Sequence, residues 1–367
     1  MGIMNKLFGK SDAPIKTNQD FWVWFQQHEK AFYSAVKNQT NIEKDFFDKL
    51  SPKLDELKEG FYFLTGMVHD DTAELVITAE GNINNIAFVE DLVKSAPKMP
   101  GWLFTALKPA MDNDEFSIGM AGHDFSHENL SFYANDIDGC PDEIDITMVH
   151  ADLNADNASV ITNGTLIFLD NFLGELNFAT TIDNLTVVSK ADAKKPLISI
   201  KKLKDFLFNR QKEIIEKQDG ALNSTRRNTD EDSYASYEFE SKTGMPYIAS
   251  MNATLLEWQH KASHPWISVV TIKYDGDNNN GMPDSESYDL LEQVETKILA
   301  ELKDFEGYLN IGRETGDGTR EIYFACKDFR KPSKVLHATA SNSSSKIAVT
   351  FDIYKDKYWR SLSRYAA

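Results

Sequence analysis

Between His264 and Leu302 the chain runs HPWISVVTIKYDGDNNNGMPDSESYDLLEQVETKILAEL, a strand, a polar loop and a helix in direct succession. No other stretch constrains the fold as strongly. Residues 266–274 are apolar on both faces, which predicts a strand in the middle of a sheet. Asp284 is placed to cap the helix that follows, whose Leu291, Val294, Ile298 and Leu302 recur at helical spacing. Downstream, residues 308–313 and 321–326 flank Gly316-Asp317-Gly318 as a hairpin. A short helix over 332–340 leads to Ile347, Val349, Phe351 and Ile353, which alternate as a strand does. The sum is β-α-β-β-α-β, the ferredoxin-like order, and residues 245–367 are expected to form that domain.

The earlier part of the chain reads as a different assembly. Residues 1–16 have no sustained period and are expected to be a flexible lead-in; Lys6 stands where a myristoylation signal needs Ser or Thr. Thr17 and Asp20 form a capping box before an aromatic helix carrying Phe21, Phe25, Phe32 and Val36 on one face. A second helix over 42–58 contains Pro52, which predicts a kink or a split. From Gly60 the period changes: FYFLTGMV and AELVITAEG read as paired strands, followed by a helix over 82–96 and a strand over 102–107. Weaker strands are expected near 116–120, 130–133 and 143–150, a helix near 160–173, and a strand near 176–188. Residues 199–217 form a helix with Ile200, Leu203, Leu207 and Ile214 on one face. An N-terminal domain with a helical lead-in and a mixed α/β sheet is therefore expected over 17–217. The polar stretch 218–244 reads as a linker. The fold class is α+β.

Four pieces of the C-terminal part carry a family resemblance: HPW at 264–266, NGMPD at 280–284, GRETGDGTREIYF at 312–324, and Tyr358-Trp359. Together they resemble the uncharacterised bacterial family known as domain of unknown function 695, over roughly residues 247–364. The resemblance implies no known activity and no catalytic residues.

Charge narrows the functional classes. A formal net charge of -18 repels phosphate backbones, so nucleic acid is not an expected partner; a basic protein is. No run approaches the roughly 18 apolar residues of a membrane span, and a cytoplasmic protein is expected. Cys140 and Cys326 are too few for a disulfide framework or a four-thiolate zinc site.

The sharpest candidate site is a metal loop. Asp275, Asp277, Asn279 and Glu286 occupy the first, third, fifth and twelfth positions of an EF-hand-like spacing, with the glycine one place late at Gly281. The loop leaves a strand rather than a helix, so a turn capped by Asp284 is the competing reading. His123 and His127 are four apart, but beside Gly122 they read as loop residues. His69 sits in a hairpin turn. His150 and Asp152 lack a nucleophile elbow, and neither a Walker A loop nor a dinucleotide fingerprint is present. No cofactor is expected.

These features favour a non-catalytic protein acting by contact, as a regulator, adaptor or inhibitor. The alternatives are a divalent-metal-dependent hydrolase built on Asp275, Asp277 and Glu286, and a small-ligand module with a cleft lined by Phe21, Trp24 or Trp102.

Overall fold

The computed structural model describes residues 13–111, 113, 115–222, 229–241 and 244–365. The start of the lead-in, with its myristoylation position, lies outside them. The chain divides into two compact units, residues 1–109 and 110–367.

In the first unit the expected capping box is formed: Asp20 N–H donates to Thr17 Oγ1 at 3.1 Å and Thr17 N–H to Asp20 Oδ2 at 2.9 Å. It starts α1 (Asn18–Asn38). A five-residue π-helical turn, Glu43–Phe47, precedes α2 (Asp48–Leu57), which contains Pro52. α2 runs unbroken through Pro52, and the irregularity in this helical stretch is the wider turn that ends at Phe47, ahead of the proline's own turn. β1 (Tyr62–His69) and β2 (Thr72–Thr78) pair antiparallel. α3 (Ile83–Lys94) then returns the chain to β3 (Trp102–Ala106), parallel to β2. Phe21, Trp22, Phe25, Phe32, Phe46, Trp102 and Phe104 interlock edge to face beneath the helices, an arrangement that adds directional energy to apolar burial. Trp22 Nε1 donates to the Leu92 carbonyl at 2.8 Å and so ties α1 to α3.

The second unit opens with the small hairpin of β4 (Ile118–Met120) and β5 (His123–Phe125). β6 (Leu130–Asn135) and β7 (Asp145–His150) are covered by α4 (Ala158–Leu173). The strand expected over 176–188 is two elements. Gly174, at φ 80°, ends α4 and starts α5 (Glu175–Thr181); only residues from 184 on form β8 (Asn184–Ser189). Leu176 and Phe178 stand two residues apart, the spacing of a strand face, and so conceal this short helix in the sequence. β9 (Ile198–Ser199) completes a sheet in the order β8-β7-β6-β9, and α6 (Leu203–Leu222) closes its core with Leu203, Leu207 and Ile214.

The segment expected as a linker holds an edge strand, β10 (Tyr234–Glu240), paired to β11 (Pro246–Asn252). Its alternation of Tyr237 and Phe239 with Ser236, Glu238 and Glu240 is a strand pattern obscured by the polar runs on either side of it. The short α7 (Ala253–Leu256) leads to β12 (Trp266–Lys273), α8 (Ser285–Glu301), β13 (Tyr308–Gly316), β14 (Thr319–Cys326), α9 (Arg330–Ser341) and β15 (Ala348–Lys355). The sheet order is β10-β11-β13-β14-β12-β15, and every pairing in it is antiparallel. β12 is paired on both sides, by β14 and β15, as its apolar faces predict, and lies second from one edge.

Pleating divides this sheet cleanly. Val270, Ile272, Ile322, Phe324, Val349 and Ile353 share the face under α8 and α9. Ile267, Tyr323, Ala325, Ala249 and Met251 face the other way, under Trp359, Leu362 and Tyr365. A clamp of charges, all largely buried except the half-exposed Arg360, joins this sheet to the α4–α6 part. Asp183 binds Lys355 at 2.6 Å and Lys357 at 2.7 Å, and Arg360 binds Glu143 at 2.5 Å. Residues 110–367 therefore form one unit, and the division falls after Pro109. Among the described residues no helix is long and apolar enough to cross a membrane.

His264 is 5 % exposed beside Trp258, and burial, with the Lys327 charge second, pushes its pKa down to about 4. An unfolded histidine titrates near 6.5. Between these values the unfolded chain takes up a proton that the folded chain refuses. Stability should therefore fall as pH drops from about 6.5 to about 4, by roughly 3 kcal/mol in all. Urea unfolding of wild type and His264→Gln across this range should show a shallower pH slope in the variant; identical slopes would refute the assignment.

Candidate functional site

The polar loop before α8 is held by its own backbone. Asp275 Oδ1 accepts from Asp277 N–H at 3.1 Å, and the Gly276 carbonyl accepts from Gly281 N–H at 3.0 Å. Asn280 and Gly281 take left-handed conformations, φ 53° and 78°, which these residue types tolerate best. At Gly281 a Cβ would lie 2.9 Å from Asp317 N, so only glycine lets the loop meet the β13–β14 turn. The contact is sealed by Gly318 N–H donating to the Gly281 carbonyl and Tyr274 N–H to the Gly318 carbonyl, both at 2.9 Å. Asp284 Oδ1 then accepts from Ser287 N–H at 2.8 Å and caps α8.

This fixed start aims one side of α8 at two arginines that rise from the sheet. Glu292 Oε1 lies 3.0 Å from Arg313 Nη1 and 2.8 Å from Arg320 Nη1. Glu295 Oε2 lies 2.5 Å and 3.4 Å from the same two nitrogens. Arg320 is 2 % exposed; its Nε donates to Thr315 Oγ1 at 3.0 Å, and its guanidinium stands 5.4 Å from the centre of the Tyr288 ring. Burial opposes ionisation of Glu292, yet the Arg320 hydrogen bond and the two arginine charges hold its carboxyl below the usual range. A cavity of about 270 Å³ opens beside this network, lined by Ile248, Ser250, Arg313, Thr315 and Arg320 of the sheet, by Met282 and Pro283 of the loop and by Tyr288 of α8.

The cavity lies at the border of an uncovered area. Strands are about 4.8 Å apart and a helix is about 10 Å across with its side chains, so one helix covers two strands. Six strands therefore call for three helices on one face, and among the described residues α8 and α9 are the two that lie there, side by side. The same face of β10 and β11 presents Tyr234, Ser236, Glu238, Glu240 and Ile248 to solvent, with Ile248 45 % and Tyr234 54 % exposed.

The candidates picked out from sequence lie elsewhere or apart. Asp275 and Asp277 sit in the turn, Asn279 Nδ2 donates to the Pro283 carbonyl at 2.9 Å, and Glu286 is drawn to Lys346. Among the described residues no group of three or more His, Cys, Asp or Glu side chains is placed to hold a metal ion. His123 lies in β5, His127 approaches Glu115 at 3.5 Å, and His69 ends β1. His150 is fully buried; its Nδ1 accepts from Asp152 N–H at 3.2 Å, which leaves Nε2 to donate to the Asp124 carbonyl at 3.0 Å. Burial pushes the Cys326 thiol up to about 12 and raises that of Cys140, which disfavours the thiolate at both. Phe21, Trp24 and Trp102 are buried in the core of the first unit.

Sequence reading missed Glu292, Glu295, Arg313 and Arg320. Their signal was present: Glu292 and Glu295 directly follow the apolar positions Leu291 and Val294, and Arg313 and Arg320 interrupt two largely buried strands. Removing one partner of a buried ion pair strands the other, at about 3–5 kcal/mol, while apolar replacement of both is often neutral. Glu295→Ala should therefore lower stability in urea by about 3 kcal/mol, and Arg320→Met with Glu295→Met should recover most of it. A double variant as unstable as the single one would show that packing, not charge, dominates.

The family-like pieces noted in the sequence meet in pairs. Trp359 Nε1 donates to the His264 carbonyl at 3.0 Å, and the NGMPD and GRETGDGTREIYF segments supply Met282, Pro283, Arg313, Thr315 and Arg320 to the cavity. No curated protein and no solved structure matches the chain. Its C-terminal part, residues 239–365, matches the Family of unknown function (DUF695).

Proposed function

We propose that this protein works by contact with another protein, as a regulator, adaptor or inhibitor in the cytoplasm, and that its contact module is a ferredoxin-like core widened by β10 and β11. The observation that carries the reading is the uncovered face of those two strands beside α8. It has the width of one helix. Its apolar side chains, Tyr234 and Ile248, are flanked by the exposed Tyr288 at the start of α8, while Glu238 and Glu240 mark the opposite side as acidic. A basic amphipathic helix matches both features, its apolar stripe lying on Ile248 and its lysines or arginines on the glutamates. The net charge of -18 would speed the approach of such a partner.

The metal-dependent alternative finds less support, because Glu286 is engaged by Lys346 and Asn279 by the loop backbone. Titration of the protein with a synthetic helical Lys/Leu peptide, followed by amide NMR, tests the contact reading. Shifts should centre on β10, β11 and the start of α8, and binding should weaken at least about tenfold from 0.05 to 0.5 M salt. Ile248→Asp should abolish it, and Glu238→Lys with Glu240→Lys should weaken it strongly. Salt-independent binding, or shifts centred on other surfaces, would count against the proposal.

A further inference from the structure

The two glutamates that neutralise Arg313 and Arg320 are not equivalent. The Glu295 side chain is 11 % exposed and is committed to the interior, whereas that of Glu292 is 39 % exposed. Glu292 reaches in from the helix surface and places a single oxygen, Oε1, between two guanidinium groups. A position where two guanidinium groups converge on one anionic oxygen is an oxyanion subsite, whichever molecule supplies the oxygen. Outside, water can solvate the Glu292 carboxylate, but Arg320, 2 % exposed, still needs a counter-charge, so Glu292 leaves this position only when another anion takes its place. The cavity of about 270 Å³ adjoins this point. Its lining adds the Thr315 and Ser250 hydroxyls and the apolar side chains of Ile248 and Met282, the mixture expected of a small-molecule site.

We propose that this cavity binds a small organic oxyanion, whose anionic oxygen replaces Glu292 Oε1 between Arg313 and Arg320 while a compact apolar body lies against Ile248 and Met282. Glu292 is the internal stand-in that neutralises the arginines when the site is empty of ligand. This site goes beyond the contact reading and does not depend on it, because its probes are small molecules and its variants leave Glu238 and Glu240 in place.

The test compares two anions, benzoate and inorganic phosphate, on the full chain by calorimetry and amide NMR. Glu292→Gln keeps the shape of the side chain and removes the competing charge, so at least one anion should bind about tenfold more tightly to it than to wild type. Arg313→Gln, on a half-exposed residue, should weaken binding at least tenfold; circular dichroism and a thermal melt establish that it is folded. Shifts should centre on Thr315, Ser250 and Tyr288. Benzoate as the tighter probe would support a carboxylate ligand with an apolar body, and phosphate as the tighter one a phosphoryl group. Equal affinity of wild type and Glu292→Gln for both anions, or shifts that avoid these residues, would overturn the proposal.

Discussion

The arrangement of the C-terminal sheet depends on one buried cation. Arg320 sits on β14 under the edge of α8, 2 % exposed, where a guanidinium without a counter-charge would be strongly unfavourable. Two of its nitrogens are engaged from two directions: Thr315 on the neighbouring strand takes Nε, and Glu292 with Glu295 on the helix take Nη1. The pairing therefore fixes where α8 crosses the sheet and which of its turns faces inward. A helix so fixed toward β13 and β14 cannot also cover β10 and β11, and the open strip beside it follows from the same constraint.

The loop before α8 serves the same end. Gly281 and Gly318 allow backbone to touch backbone, so the helix starts from a point joined to the turn of the very hairpin that carries Arg313 and Arg320. The acids that crowd this loop are largely spent on local geometry: Asp275 on the turn, Asp284 on the cap. A dense cluster of Asp and Asn before a helix is thus a poor guide to metal binding when the backbone itself needs those side chains.

How much was legible from sequence follows from what each signal encodes. The core strands and helices of residues 266–355 were readable because their apolar periods are strong, and the Thr17 capping box because it is local. β10 was missed although it alternates, since Ser236, Glu238 and Glu240 fill one face and the strand is embedded between polar runs that resemble a connector. The boundary after Pro109 was missed for a different reason. The clamp of Asp183 with Lys355 and Lys357 joins residues more than 170 positions apart, and no local pattern announces such a pair. The Arg–Glu network was hidden likewise, because isolated charges beside apolar positions read as solvated until the two strands and the helix are brought together.

The internal ion pairs also bear on what surface the protein presents. Arg313, Arg320, Lys355 and Lys357 are all engaged by acids within the unit. Lys355 and Lys357 share the single carboxylate of Asp183, so that cluster withdraws two cations and one anion from the surface, and Arg320 and Glu295 are withdrawn together, while Arg313 and Glu292 stay partly exposed. With 39 basic against 57 acidic residues, each such withdrawal makes the charge that remains outside more one-sided. Lys355 shows how complete the withdrawal is: burial first, then the partly opposing charge of Asp183, leaves its ammonium with a pKa of about 8. The surface is therefore more acidic in proportion than the composition alone suggests, and the glutamates of β10 belong to that unbalanced remainder. A basic partner would meet a surface from which several of the competing cations have been withdrawn, which favours recognition by charge at the open strands over recognition by shape alone.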